Sequence, residues 1–188
     1  MYLLFGKRLF DIVWAVFLIL LLSPLFFIVS IAILFSDPGP VLFCQDRVGQ
    51  NGTIFRFYKF RSMPVNTPSL PSDRLGDVRL TVIGRIIRRT SIDELPQLFN
   101  ILIGDMSIVG PRPPLLEQVE LVNLRRLNGS LSLKPGLTGL AQICSFNGMT
   151  FSQKAALDAR YAKTISLLSD LVIIAKTFPY LLSTPPIY

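Results

Sequence analysis

The stretch "RRTSIDELPQ" places two adjacent carboxylates, Asp93 and Glu94, just after a pair of arginines. Pro96 suits the first turn of a helix, where a missing N–H goes unnoticed. A helix start gathers free N–H groups and the positive end of the dipole, and so attracts phosphate. Neighbouring helical residues point about 100° apart, from 3.6 residues per turn, so the two acids face different tasks. One can attack phosphorus, as aspartate does in enzymes that form aspartyl phosphates. The other can help to hold a divalent ion or a proton-bearing group. Mg²⁺ is the ion that pairs carboxylate oxygen with substrate phosphate. The same letters allow a plainer role, because Ser91 and Glu94 match the S-x-x-E capping box that only closes a helix end.

A second chemical element is "GDMSIVGPRPP", where Arg112 stands between Pro111 and Pro113. Proline fixes its own φ and drives the preceding residue toward extended backbone. Arg112 is thereby held on a stiff main chain, and its planar fork matches phosphate oxygens. The alternative is a rigid surface turn with a solvated arginine. "YKFRSM" adds Lys59 and Arg61, which alternate onto one face of a strand. "KPGLTGLAQ" (Lys134–Gln142) joins a cation to a Gly-rich turn that can approach a phosphate or serve only as a loop.

What positions these groups begins with the longest apolar run. No charged residue occurs from Ile12 to Ser36; Lys7, Arg8 and Asp11 precede the run and Asp37 follows it. About 20 apolar residues cross a hydrocarbon core of ~30 Å. The run exceeds the ~7–15 residues of a signal-peptide core, and no small-residue cleavage pattern follows it. Ser23-Pro24 lies at its middle. Proline removes one helical hydrogen bond and clashes with the carbonyl four residues back, that of Leu20, while Ser23 can offer that carbonyl a hydroxyl. Basic residues flank both ends of the run, and both favour the cytoplasmic side. A kinked span satisfies one end; a re-entrant helix-break-helix with both ends cytoplasmic satisfies the two.

Beyond it, "SDPGP" (Ser36–Pro40) ends the membrane segment. Two aromatic and β-branched runs flank Gln50-Asn51-Gly52 and predict a β-hairpin. Residues 64–77, rich in Pro, Ser and Asp, predict a loop. "RLTVIGRIIRR" puts Leu80, Ile83, Ile86 and Ile87 on one face and its arginines largely off it, as in a basic interfacial helix on acidic lipid or an ordinary surface helix. "ELPQLFNILIG" predicts a helix stopped at Gly104, "PLLEQVELVNLRRL" another, and the stretch from Phe151 to Leu182 one or two amphipathic helices. The expected fold class is α+β and mainly helical. Residues 1–36 form the membrane element and residues 37–188 a cytoplasmic catalytic domain.

Composition agrees with that division. Hydrophobic residues make up 51% of the 188-residue chain, which points to membrane contact, and a net charge of +7 favours anionic partners. Histidine is absent, so a His general base or His metal site is excluded. Cys44 and Cys144 form no ligand cluster and fit a reducing compartment. A basic adaptor that holds acidic lipid or a partner protein explains the charge but not an Asp-Glu pair beside a proline-clamped arginine. Nucleic acid is not an expected partner, for no binding motif accompanies the cations.

Taken in order, "KRLFDI", Ser23-Pro24, "GPVLFCQDRVGQNG", "YKFRSM", "RRTSIDELPQLFN", "GDMSIVGPRP" and "KPGLTGLAQ" resemble the bacterial sugar transferases, the monotopic phosphoglycosyl transferases. In length the chain is similar to small members such as the N,N′-diacetylbacillosaminyl-1-phosphate transferases. The resemblance implies transfer of a sugar 1-phosphate from a UDP-sugar to polyprenyl phosphate at the bacterial inner membrane, with UMP released. It implies Asp93 as nucleophile, Glu94 as its dyad partner, and Mg²⁺ held by the two. Pro111, Arg112 and Pro113 fall in the phosphate or nucleotide site, with Lys59, Arg88 and Gln142 as further substrate contacts. Many members follow Gln142 with a stretch like Val-Asn-Gly-Arg-Asn; here Ile143 to Met149 read "ICSFNGM". The arginine expected there is missing, so a sugar or phosphate contact differs.

Overall fold

The computed structural model describes residues 2–65, 67, 80–146 and 148–182. Helix α1 (Lys7–Ser36) is followed by a hairpin of β1 (Leu42–Val48) and β2 (Ile54–Phe60). Next come α2 (Val82–Arg89), α3 (Gln97–Ile103), β3 (Ser107–Val109) and α4 (Val119–Leu127), then β4 (Gly136–Thr138) and α5 (Leu140–Ile143). Helices α6 (Phe151–Thr164) and α7 (Leu167–Leu182) complete the fold. The mainly helical α+β expectation holds, and so does the hairpin about Asn51. Leu42 pairs with Phe60 and Val48 with Ile54, and Asn51 turns the chain at φ 55°. Most of the loop expected over 64–77 lies outside the described residues.

The main core joins the first half of α1 to β2, α3, β3, α6 and α7. Ala15, Phe55, Phe57, Leu98, Ile101, Met106, Val109 and Tyr161 are buried together. A second cluster joins the other half of α1 to the hairpin and α2 through Val29, Ile33, Phe60 and Ile87. Phe26 bridges the two regions, edge-on to Phe99 with ring centroids 5.9 Å apart and 5.5 Å from Phe60. Polar ties fix the ends of α1. Asp11, 2% exposed, accepts from Ser107 Oγ and the Ile108 N–H. Lys7 pairs with the fully buried Asp170 at 2.7 Å. Asp37, just past the helix, pairs with Arg61.

The break expected at Ser23-Pro24 does not interrupt the helix: α1 runs unbroken from Lys7 to Ser36 with Pro24 inside it. The physical reason lies in the neighbouring serine. Ser23 Oγ donates to the Leu20 carbonyl at 2.9 Å, and that is the carbonyl Pro24 leaves without its usual partner. A proline helix can bend while keeping its remaining hydrogen bonds.

Only the tertiary structure shows the second sheet. β3 and β4 pair in parallel, with Ser107 opposite Gly136 and Val109 opposite Thr138. The Gly-rich stretch read as a turn is therefore partly a strand. Glycine is required there: a Cβ on Gly136 would lie 2.1 Å from the Gly110 nitrogen, and one on Gly139 2.1 Å from the Gly110 carbonyl oxygen. Both parallel strands end toward the same edge. β3 leads into Gly110–Pro111–Arg112, and β4 leads into Gly139 and α5.

Candidate active site

Asp93 and Glu94 sit in a short 3-10 turn, Ile92–Glu94, entered through Ser91 at φ 55°. That left-handed residue swings the chain out of α2, and Ser91 makes no side-chain cap bond, so the capping box is not formed. Glu94 turns away to Arg112 instead. Arg112 Nη2 donates to Glu94 Oε1 at 2.5 Å and Nη1 to Oε2 at 3.3 Å, a two-pronged pair. Asp93 is 4% exposed and faces Lys59 Nζ at 3.7 Å.

The elements that bring these groups together can be followed bond by bond. Asn100 on α3, fully buried, accepts from the Tyr58 N–H at 3.1 Å and donates to the Arg56 carbonyl at 2.7 Å. Those two hydrogen bonds tie α3 to β2, the strand that carries Lys59. The Arg112 carbonyl accepts from Arg125 Nη1 at 2.8 Å, and Arg125 is paired with Asp158 at 2.7 Å. Arg47 donates to the Pro113 carbonyl, and the Pro111 carbonyl accepts from the Gly136 N–H. Two further arginines, Arg47 and Arg125, thus fix the backbone around Arg112. Arg47, Asn100, Arg125 and Asp158 escaped the sequence reading. An arginine in a strand and an asparagine in a helix carry no local sign of a partner far along the chain.

Of the residues expected in the site, Asp93, Glu94, Lys59, Arg88 and Arg112 act on one another electrostatically. Arg61, its side chain expected beside Lys59, is spent on Asp37. Gln142 is 5% exposed, and neither atom of its amide has a hydrogen-bond partner. Its Oε1 lies where a Cβ on Gly139 would come within 2.6 Å. This puts Gln142 at the strand edge beside Gly110–Pro111, with no bond to the dyad.

Burial raises the Asp93 carboxyl to about 6, opposed by the charge of Lys59 and reinforced by Glu94. Burial also raises Glu94, but the Arg112 charge and hydrogen bonds outweigh it and hold that carboxyl below its ordinary range. Lys59 is lowered by burial against the pull of Asp93 and Glu94. Burial, then the charge of Arg112, lowers Arg47 to about 10. Four cations, Arg47, Lys59, Arg88 and Arg112, therefore surround two carboxylates. The excess positive charge suits a polyanion such as a diphosphate.

The model of the bacterial sugar transferase family matches residues 2–184. The chain belongs to this family. Among similar proteins, galactosyl transferase CpsE of Streptococcus agalactiae serotype III (strain NEM316) is 43% identical over 193 residues, covering 95% of this chain and 42% of that protein. The exopolysaccharide production protein ExoY of Sinorhizobium fredii is 39% identical over 191 residues, covering 93% and 84%. The UDP-glucose:undecaprenyl-phosphate glucose-1-phosphate transferase of Caulobacter vibrioides is 41% identical over 191 residues, covering 97% and 72%. The chain thus spans less than half of the first relative and most of the other two. In this bacterial sugar transferase the buried Asp93 lies beside Lys59, next to the Glu94–Arg112 pair.

Proposed function

We propose that this protein transfers a sugar 1-phosphate from a UDP-sugar to polyprenyl (undecaprenyl) phosphate, giving polyprenyl diphosphate sugar and UMP. The single observation that carries the reading is a buried Asp93 beside Lys59, with Glu94 and Arg112 locked together next to it. The names of relatives in this family support the acceptor and the reaction class. A carboxylate Oδ of Asp93 attacks the sugar-linked phosphorus, the P–O bond to UMP breaks, and UMP departs with the electron pair. An oxygen of the polyprenyl phosphate then attacks the same phosphorus, and Asp93 is released as carboxylate. Arg112, Lys59 and Arg88 bind and orient the phosphate oxygens, where fixed positive charge favours the charge that builds up in transfer.

Mg²⁺ fits the donor set. Asp93 and Glu94 offer hard oxygen, and no group of three or more acidic or Cys ligands exists among the described residues. A pair of carboxylates suits an ion that keeps waters and takes its other oxygens from substrate phosphate. Asp93 and Glu94 would hold it, and it supplies charge neutralisation at the phosphate oxygens.

In this reading the site works at the cytoplasmic face of the inner membrane, with α1 as a re-entrant anchor. Support comes from its two ends. Lys7 is tied to Asp170 and Asp37 to Arg61, so both ends are held by the same globular unit. A spanning helix would carry one end across the bilayer. Between those ends Phe17, Leu20, Leu21, Phe27 and Ile28 are exposed, an apolar surface suited to lipid.

The experiment that tests this reading is a screen for UMP release across UDP-sugars, with polyprenyl phosphate present. Turnover with one donor is the expected result. No release from any UDP-sugar would overturn it.

A further inference from the structure

Lys154 is a cation to which the chemistry above gives no task. No charged residue stands between Lys134 and Lys154. Lys154 lies in the first turn of α6, behind a complete capping box: Thr150 Oγ1 accepts from the Gln153 N–H, and Gln153 Oε1 accepts from the Thr150 N–H. The turn that carries it is therefore fixed. Its Nζ lies 5.5 Å from the centre of the Phe151 ring, a cation–π contact that steadies the long stem. Asp158 follows one helical turn later, so the two side chains share a face of α6. That face is bonded to the candidate site. Asp158 pairs with Arg125 at 2.7 Å, and Arg125 Nη1 donates to the Arg112 carbonyl at 2.8 Å.

The surroundings of Lys154 are positive. Burial lowers its ammonium, and Arg112 and then Arg125 lower it further, each more strongly than Asp158 raises it. Asp158 is itself engaged with Arg125 through Nε and Nη2. Like charges gathered in this way are relieved by a bound anion. Arg112 is the cation common to this group and to the dyad, for it also acts on Asp93. Lys59, Arg112 and Arg88 are the cations that act on Asp93, and Lys154 is not among them. A UDP-sugar carries two phosphates in a row. Asp93 must meet the sugar-linked one, and a cation that adjoins Arg112 rather than Asp93 can meet the other. We propose that Lys154 is a further substrate-binding residue, which holds the uridine-linked phosphate of the donor while Arg112 bridges it to the sugar-linked phosphate at Asp93. When the P–O bond breaks, its electron pair stays with UMP, and Lys154 offsets the charge that gathers there. The assignment rests on the reading of this site as a UDP-sugar site.

Calorimetric titration of the full chain in detergent with UMP, without metal and at fixed ionic strength, reads this contact apart from turnover. Lys154→Met keeps the length of the side chain and its apolar cover on Phe151. It is expected to weaken UMP binding about tenfold, the size of one charge-assisted hydrogen bond. Lys154→Arg keeps the charge and is expected to stay within about threefold of the wild type. In both variants the KM for polyprenyl phosphate changes by less than about twofold, because the lysine serves the donor's leaving group. Unchanged UMP binding by Lys154→Met overturns the proposal. So does an equal loss in Lys154→Arg, which a packing role would give. A rise in the polyprenyl phosphate KM that matches the loss of UMP affinity also overturns it, because that marks an acceptor contact or a general field. Lys154→Gln takes the place of the methionine variant should that not fold. Wild-type protein that binds no UMP and releases none from any UDP-sugar overturns the functional reading and this assignment together. Wild-type turnover with UMP binding indifferent to Lys154 overturns the assignment alone.

Discussion

Arg125 donates a hydrogen bond from Nη1 to the main-chain carbonyl of Arg112 at 2.8 Å, so one arginine fixes the backbone of another. Arg125 is 3% exposed and its charge is met by Asp158, 1% exposed, across α4 and α6. Breaking such a buried pair from one side leaves a bare charge and costs about 3–5 kcal/mol. Asp158→Ala is therefore expected to lower the unfolding free energy by that order, which a fall in the urea midpoint would report. Arg125→Lys keeps the charge but cannot reach both Asp158 and the Arg112 carbonyl. Its expected effect is a smaller stability loss with about a tenfold fall in the rate of UMP release at saturating donor.

In the proposed mechanism Asp93→Asn replaces the attacking carboxylate with a neutral amide. Release of UMP falls by at least about a thousandfold, of the size expected when a nucleophile is deleted, while sedimentation with membranes is unchanged. Full activity in this variant would favour a non-catalytic, lipid-holding role.

Asp93 has a raised pKa of about 6, so it gains its negative charge as pH rises through that value. In metal-free protein, carboxyl carbon NMR is expected to show Asp93 titrating near 6 rather than at the ordinary value for aspartate. Lys59 supplies the largest opposing effect. Lys59→Met therefore moves the titration to still higher pH, because a nearby cation favours the ionised form. A shift downward would contradict the pairing seen between the two residues.

A Cβ on Gly84 would stand 1.8 Å from the Ser62 carbonyl oxygen. Backbone cannot yield there without moving α2, the helix that carries Arg88. Gly84→Ala is expected to destabilise by about 1–3 kcal/mol, as overpacking does, and to weaken donor affinity. Thermal melting and the KM for the UDP-sugar report the two effects.

Chelation of divalent ions is expected to stop turnover, and re-addition of Mg²⁺ to restore it. Unchanged rates in chelator would remove the metal from the reaction.

For topology, Cys44 and Cys144 are first replaced by serine. A new cysteine ahead of Met1 and another at the exposed Asn51 then react with an impermeant maleimide from the same side of sealed vesicles. Opposite sides would establish a span.

Much of this protein was legible in its letters because the governing forces are short-range. Period-2 and period-3.6 patterns, Asn51-Gly52 and Gly104 marked the hairpin and helices, although α2, α3 and α4 begin three to five residues inside the stretches expected to be helical. The residue types of "SIDELPQ" and "PRP" identified acids and a cation suited to phosphate. The Ser23 hydroxyl was foreseen as the partner for the carbonyl that Pro24 strands, yet the helix stays continuous where a break was expected.

What the letters left open was partnership at a distance. Glu94 matched a capping box equally well, and only folding, which brings Arg112 18 residues further on within reach, turned it from cap to ion pair. The Arg125–Asp158 pair closes over 33 residues, and the parallel pairing of β3 with β4 encloses the whole of α4. Local sequence sets which conformations are cheap within a few residues. Which charges meet in the interior is decided by how the chain packs as a whole, where removal from water makes an unmatched group too costly to keep.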